Sequence, residues 1–165
     1  AKAGQSVGDD AAKTPITPSL MTLADLSGYQ AKKREPVCTT YRSAYYVCSM
    51  SPPSSGGIAI AQAFGILENF ELKDHGPTQA ENEGGVPSVM GVHLVSEAER
   101  LAYADRDKYV ADTDFVPLPG KGVSSMLDKN YLKSRANLIS KDKSMGVATA
   151  GTFDTVASAL SLIHI

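Results

Sequence analysis

The amino-acid sequence predicts an α+β chain, mainly helices with one β-hairpin. Three observations carry this expectation. Two short runs rich in β-branched and aromatic residues flank a turn near Ser43, apolar residues recur at helical spacing in four other segments, and no further stretch has strong strand patterning. Apolar helices with so little sheet describe one flank of a larger layered domain rather than a self-sufficient unit. At 165 residues and 42% hydrophobic content the chain lies within the range of a single domain, and no internal repeat is visible.

Residues 1–18 carry Gly4, Gly8, Asp9, Asp10, Pro15 and Pro18 without sustained periodicity, which predicts a loose N-terminal arm. Thr22 stands three residues before Asp25, and Leu23, Leu26 and Tyr29 follow at helical spacing, so a short helix over about 22–30 begins with a capping box. Lys32-Lys33-Arg34 then form the solvated exit of that helix, favoured by its dipole. Val37–Tyr41 and Ala44–Cys48 read as the hairpin strands. In Pro52-Pro53-Ser54-Ser55-Gly56-Gly57 the prolines stop the strand, and Ser54 or Ser55 is expected to cap a buried helix over 58–70.

The breaker-rich stretch 73–87 predicts a surface connection. A helix from near Ser88 to about Val110 follows. Val89, Met90, Leu94, Ala98, Leu101, Ala102 and Asp105 recur along one side of it, and Glu97, Glu99, Arg100, Arg106 and Lys108 are expected on a polar side. Asp114–Gly120, with two prolines, is expected to be extended. Asp128 caps a last helix over 129–140 bearing the stripe Tyr131, Leu132, Arg135, Ala136, Leu138 and Ile139.

Composition narrows function mainly by exclusion. A net charge of −2, with 16 basic residues scattered among 18 acidic ones, supplies no stripe to track a phosphate backbone. No apolar run approaches the roughly 20 residues of a membrane span. The first twenty residues hold no signal-peptide core, but a chain that starts with Ala suits a mature or truncated product, so this does not argue for the cytoplasm. Cys38 and Cys48, the only cysteines, are spaced wrongly for CxxC or zinc chemistry. A turn at Ser43 would set them opposite each other on paired strands, which leaves two alternatives, a cross-strand disulfide or two half-buried thiols.

Individual polar residues are expected to be structural. His93 and Glu97 are one helical turn apart, yet no second histidine stands at ligand spacing, so His93 is expected to be a hydrogen-bonding side chain. Asp105, Asp107, Asp112 and Asp114 interleave with Arg106 and Lys108, which predicts local charge neutralisation instead of a calcium loop. Ser54 and Ser55 have no His or Lys nearby in sequence to activate them.

Several stretches taken together resemble the γ-glutamyltransferase (glutathione hydrolase) family. They are Leu20–Leu26 with Tyr29, Arg34–Val37, Tyr41-Arg42, Pro52–Gly57, Ile66–Phe70, Glu97–Arg106 and Asp114–Val116, in matching order and spacing. The resemblance runs from about Leu20 to Phe153. It divides the chain into the arm 1–18, a partial large-subunit domain 19–153 and an unmatched tail 154–165.

The resemblance implies an N-terminal-nucleophile hydrolase with an αββα sandwich, made as a self-cleaving precursor of a large and a small subunit. It implies glutathione and other γ-glutamyl compounds as substrates and the small subunit as partner. A threonine freed at the small subunit's N-terminus would be the nucleophile. A periplasmic or secreted location is implied, and no metal or organic cofactor. That nucleophile belongs to a Thr-Thr-His motif lying downstream, whereas Thr39-Thr40 here precede Tyr41 within the hairpin. No catalytic or substrate-binding position of the family maps onto this chain. The alternatives are a β-lactam (cephalosporin or glutaryl) acylase of the same superfamily, and a non-catalytic truncated scaffold.

Overall fold

The computed structural model describes residues 19–79, 81 and 84–153. The expected arm 1–18 and tail 154–165 lie outside them. The chain divides into two units between Arg34 and Glu35. The described part of the first holds helix α1 (Leu23–Gly28), which buries no residue. Its capping box is the expected one: Thr22 Oγ1 accepts from Asp25 N–H, and Asp25 accepts from Thr22 N–H at 2.7 Å. The Thr22 hydroxyl, followed by the Thr22 N–H, donates to the Asp25 carboxylate and holds that carboxyl below its ordinary pKa.

The second unit is built around α2 (Gly56–Leu67), which packs against the hairpin before it and against the three α-helices that follow it. Strands β1 (Val37–Tyr41) and β2 (Tyr45–Ser49) form an antiparallel hairpin with Cys38 opposite Cys48. Arg42 and Ser43 both take left-handed backbone conformations in its turn, an arrangement that suits the strand twist but is unfavourable for residues with side chains. Arg42 offsets that cost. Its guanidinium donates to the Phe70 and Leu67 carbonyls at 2.7 and 3.3 Å, satisfying acceptors just beyond and at the end of α2.

The cysteines are joined, with Cα atoms 4.1 Å apart, slightly closer than the roughly 4.4–6.8 Å usual for a bridge. This settles the alternative left open by the sequence.

Ser55 occupies the N-cap position of α2, but its side chain makes no capping bond, because its backbone is helical (φ −82°, ψ −16°). The expectation of a serine cap is corrected. Ser55 Oγ instead accepts from Arg106 Nε at 3.0 Å. The helix begins at Gly56, where Gly57 N–H donates to the Met50 carbonyl. A Cβ on Gly57 would overlap that carbonyl, so only glycine lets α2 start this close to the end of β2.

After a single 3-10 turn at Lys73–His75, α3 (Val89–Tyr109) starts on Ser88, whose Oγ accepts from Gly91 N–H. Its buried face is Leu94, Glu97, Ala98, Leu101, Ala102, Asp105 and Tyr109. Two expectations change here. Val89 is exposed, because it sits in the first turn before the helix reaches the core, and Glu97 is on the buried side.

Asp114 and Phe115 lie in a turn where the sequence suggested extended chain, since Phe115 and Val116 N–H both donate to the Asp112 carbonyl. A one-turn helix not foreseen from the sequence, α4 (Val123–Met126), precedes α5 (Lys129–Ala136). Asp128 caps α5 as expected, accepting from Asn130 and Tyr131 N–H at 3.0 Å. The helix ends four residues before 140, leaving Leu138 exposed.

Two apolar clusters form the core. Ile66, Leu67, Leu94, Leu101 and Leu132 gather where α2, α3 and α5 meet, while Val37, Ile58, Tyr109, Val110 and Met126 lie under the hairpin and α4. No helix among the described residues is long and apolar enough to cross a membrane.

Candidate functional site

The densest chemistry lies where the segment after α5 runs back across α3. Asp105, at the core of this site, is 1% exposed. Arg135 Nη2 lies 3.1 Å from Asp105 Oδ1, and the Gly151 N–H donates to the same oxygen at 2.8 Å. Oδ2 accepts from Gln62 Nε2 at 3.0 Å and from the Tyr131 hydroxyl. Burial, reinforced by that bond to a carboxylate, pushes the Tyr131 phenol well above its ordinary pKa. Tyr131 is therefore a fixed donor at neutral pH.

Arg135 also reaches the returning segment. Its Nη2 donates to the Thr149 carbonyl at 2.7 Å and to Leu101 at 3.3 Å. Among the described residues, Arg135 Nε and Gln62 Oε1 are buried without a partner. An incompletely satisfied buried ion pair contributes little net stability, but removing either partner strands a charge. Its consequence is a fixed register between α3, α5 and residues 149–151.

Two turns earlier on α3, Glu97 does the same with its carboxylate. Met145 N–H and Ser144 Oγ donate to it at 2.8 and 2.7 Å, and Arg100 Nε is 3.4 Å away. Burial opposes its ionisation, but these hydrogen bonds, with His93 and Arg100 nearby, outweigh it and hold the pKa below the ordinary value. His93 Nε2 lies 2.7 Å from the Ser140 carbonyl, the hydrogen-bonding role expected for it.

The returning segment is thus held from Ser140 to Gly151 like a bound peptide, its backbone groups served by side chains of α3 and α5. Beside it, a cleft of about 600 Å³ opens between Tyr131, Phe153, Lys121 and Ser125. The Ser125 hydroxyl accepts from Lys121 N–H, and Ser124 Oγ donates to the Lys121 carbonyl.

The acidic cluster divides. Arg106 pairs locally with Asp107 at 2.6 Å, as expected, but Asp105 points inward to Arg135, thirty positions along the chain, so local neutralisation is corrected there. The sequence did carry a signal for this pair. Asp105 and Arg135 each fall at a position of an otherwise apolar stripe, where a charge is buried and needs a partner. Nothing in the spacing pointed to Gly151 or Gln62. Thr39 and Thr40 sit within β1, and Thr40 is paired with Tyr46.

A helical layer carrying one two-stranded hairpin is the build of part of an N-terminal-nucleophile hydrolase, the fold of the solved structures it resembles. The family described as Gamma-glutamyltranspeptidase matches residues 2–159, and the chain belongs to that family.

It is 42% identical over 124 residues to the glutathione hydrolase proenzyme of Escherichia coli (strain K12), covering 75% of this chain and 19% of that protein. It is 36% identical over 149 residues to the acylase ACY 1 proenzyme of Pseudomonas sp. (strain V22), covering 86% of this chain and 24% of the relative. Among solved structures, the γ-glutamyltranspeptidase of Helicobacter pylori superposes with a TM-score of 0.65 at 34% identity, over 79% of this chain and 34% of that one. The chain therefore spans about a fifth of the length of the glutathione hydrolase it matches.

Proposed function

We propose that this chain is the C-terminal part of the large subunit of a glutathione hydrolase, cleaving the γ-glutamyl amide of glutathione and related compounds and passing the acyl group to water or an amino acid. The 42% identity to a glutathione hydrolase proenzyme over three quarters of the chain carries this reading. In it, the nucleophile is the threonine that begins the small subunit, with its own α-amine as base. The residues described here are scaffold. They hold the returning segment, and through it the direction in which the chain leaves α5, while the small subunit of the same precursor supplies the chemistry. No metal or organic cofactor takes part in this scheme.

The disulfide between Cys38 and Cys48 supports an oxidising compartment, periplasmic or secreted, since such bonds persist there and are reduced in most cytosols. Partial exposure of the pair on the hairpin strengthens this argument, because small reductants could reach it.

The test is to express the full open reading frame and assay a chromogenic γ-glutamyl anilide, glutathione and a glutaryl or cephalosporin β-lactam. Turnover of the first two supports the proposal. Exclusive β-lactam turnover selects the acylase, a reading favoured by the acylase similarity extending over 86% of the chain. A frame that stops before a Thr-Thr-His motif selects the non-catalytic scaffold. The 165-residue chain alone is expected to show no turnover above a heat-killed control.

A further inference from the structure

Gly151 is held at each of its three substituents. Its N–H donates to Asp105 Oδ1 at 2.8 Å, and its carbonyl accepts from the Tyr109 hydroxyl at 2.6 Å. Its Cα lies so close to Tyr131 that a Cβ would run into the ring and hydroxyl. Asp105 and Tyr109 are four residues apart on α3, so one helix face grips both sides of one residue. Two residues on, the Phe153 ring packs between Tyr109, edge-on at 5.1 Å, and Tyr131 at 4.5 Å. Backbone and side chain together fix the chain from Gly151 to Phe153 against α3 and α5.

Such a clamp is more than packing needs. A glycine alone would satisfy the close packing against Tyr131, yet the structure also places a buried carboxylate and a buried phenol on its backbone. Holding the chain upstream of a reacting bond converts a loose encounter into an oriented one, the largest entropic advantage available to an intramolecular reaction.

We propose that Asp105, Tyr109 and Tyr131 clamp Gly151 so as to position the downstream chain for self-cleavage of the precursor, which makes them positioning residues for that step. The inference rests on the reading of the chain as part of a self-cleaving precursor. In that step the threonine hydroxyl attacks the carbonyl preceding it, its proton passes to the departing amide nitrogen, and water hydrolyses the resulting ester. A carboxylate is left upstream and a free α-amine on the threonine. The clamp touches none of these atoms. It sets where the upstream chain delivers them.

The test uses the full-length precursor with Tyr109→Phe, which removes only the hydroxyl, and Gly151→Ala. Conversion to two subunits is followed on gels and the precursor's melting temperature is recorded. In parallel, large and small subunits encoded separately bypass self-cleavage and report kcat/KM of the assembled enzyme. Tyr109→Phe should slow conversion about five-fold, the effect of one ordinary hydrogen bond, and Gly151→Ala more. The bypassed enzymes should keep wild-type kcat/KM, and the Tyr109→Phe precursor should show only the small fall in melting temperature that the loss of one hydrogen bond causes.

Wild-type conversion rates in both variants overturn the inference alone. So does slowed conversion accompanied by equal losses in melting temperature and bypassed kcat/KM, since that is the pattern of a purely structural role. A wild-type precursor that never converts overturns the underlying reading and this inference with it.

Discussion

Asp105 on α3 and Arg135 on α5 form an ion pair of 3.1 Å with both side chains almost wholly buried. The pair joins the two helices to each other and to the chain that follows them, because Asp105 also accepts from Gly151 N–H and Arg135 donates to the Thr149 carbonyl. Desolvating both charges cancels most of their attraction, so the pair specifies an arrangement more than it stabilises one.

Arg135→Met should therefore be far more damaging than a surface change, costing about 3–5 kcal/mol by leaving Asp105 buried and unpaired. Adding Asp105→Asn to it should recover part of the loss. Urea denaturation of Arg135→Met, Asp105→Asn, the double variant and wild type measures both effects, and strict additivity would show that the residues do not interact.

Glu97 gives the structure an acid-sensitive joint. Its folded pKa lies below the ordinary glutamate value, so the carboxylate's contribution is whole at neutral pH, remains so above about pH 4.5, and is lost as pH falls through the folded value. Glu97→Gln should cost about 2 kcal/mol at pH 7, the range for a hydrogen bond to a charged acceptor. The gap from wild type should narrow below pH 4.5. Melting temperatures across pH 3–8 check this, and a gap that widens toward acid would reverse the sign argued here.

Closing the loop between Cys38 and Cys48, ten positions apart in sequence, restricts the unfolded chain and is worth about 3 kcal/mol on the chain-entropy account. A Cys38→Ser, Cys48→Ser double variant should melt lower by a corresponding amount. Wild type purified without reductant should take up no maleimide until a reducing agent is added, and then two. Immediate labelling would mean that the bridge is not formed.

Ser55 accepts a hydrogen bond from Arg106 Nε, which gives its hydroxyl a structural role. In the full-length protein Ser55→Ala should cost about 1 kcal/mol through its lost hydrogen bond, while self-cleavage and acyl-enzyme formation persist. Loss of the acyl-enzyme in a folded, processed variant would assign this loop a catalytic part.

What the sequence determined by itself was local. Thr22 with Asp25, Ser88 and Asp128 mark helix starts because a capping side chain bonds to backbone two or three residues away. Cys38 and Cys48 fall opposite each other because antiparallel register follows from the position of the turn. Family membership was legible for a related reason, since Pro52–Gly57 and Glu97–Arg106 are contiguous motifs. Tertiary structure decided what depended on distant partners. Glu97 turned inward to serve Met145, forty-eight residues away, and Ser55 gave up capping for Arg106. Asp105 passed over its basic neighbours for Arg135 and Gly151. A charge on a helix can be neutralised by a residue one turn away or by one across the core, and only burial makes the second partner obligatory. Burial is a property of the packed chain, which is why Gly151 stood in the sequence as one glycine among 14 and in the structure as the residue that Asp105, Tyr109 and Tyr131 enclose.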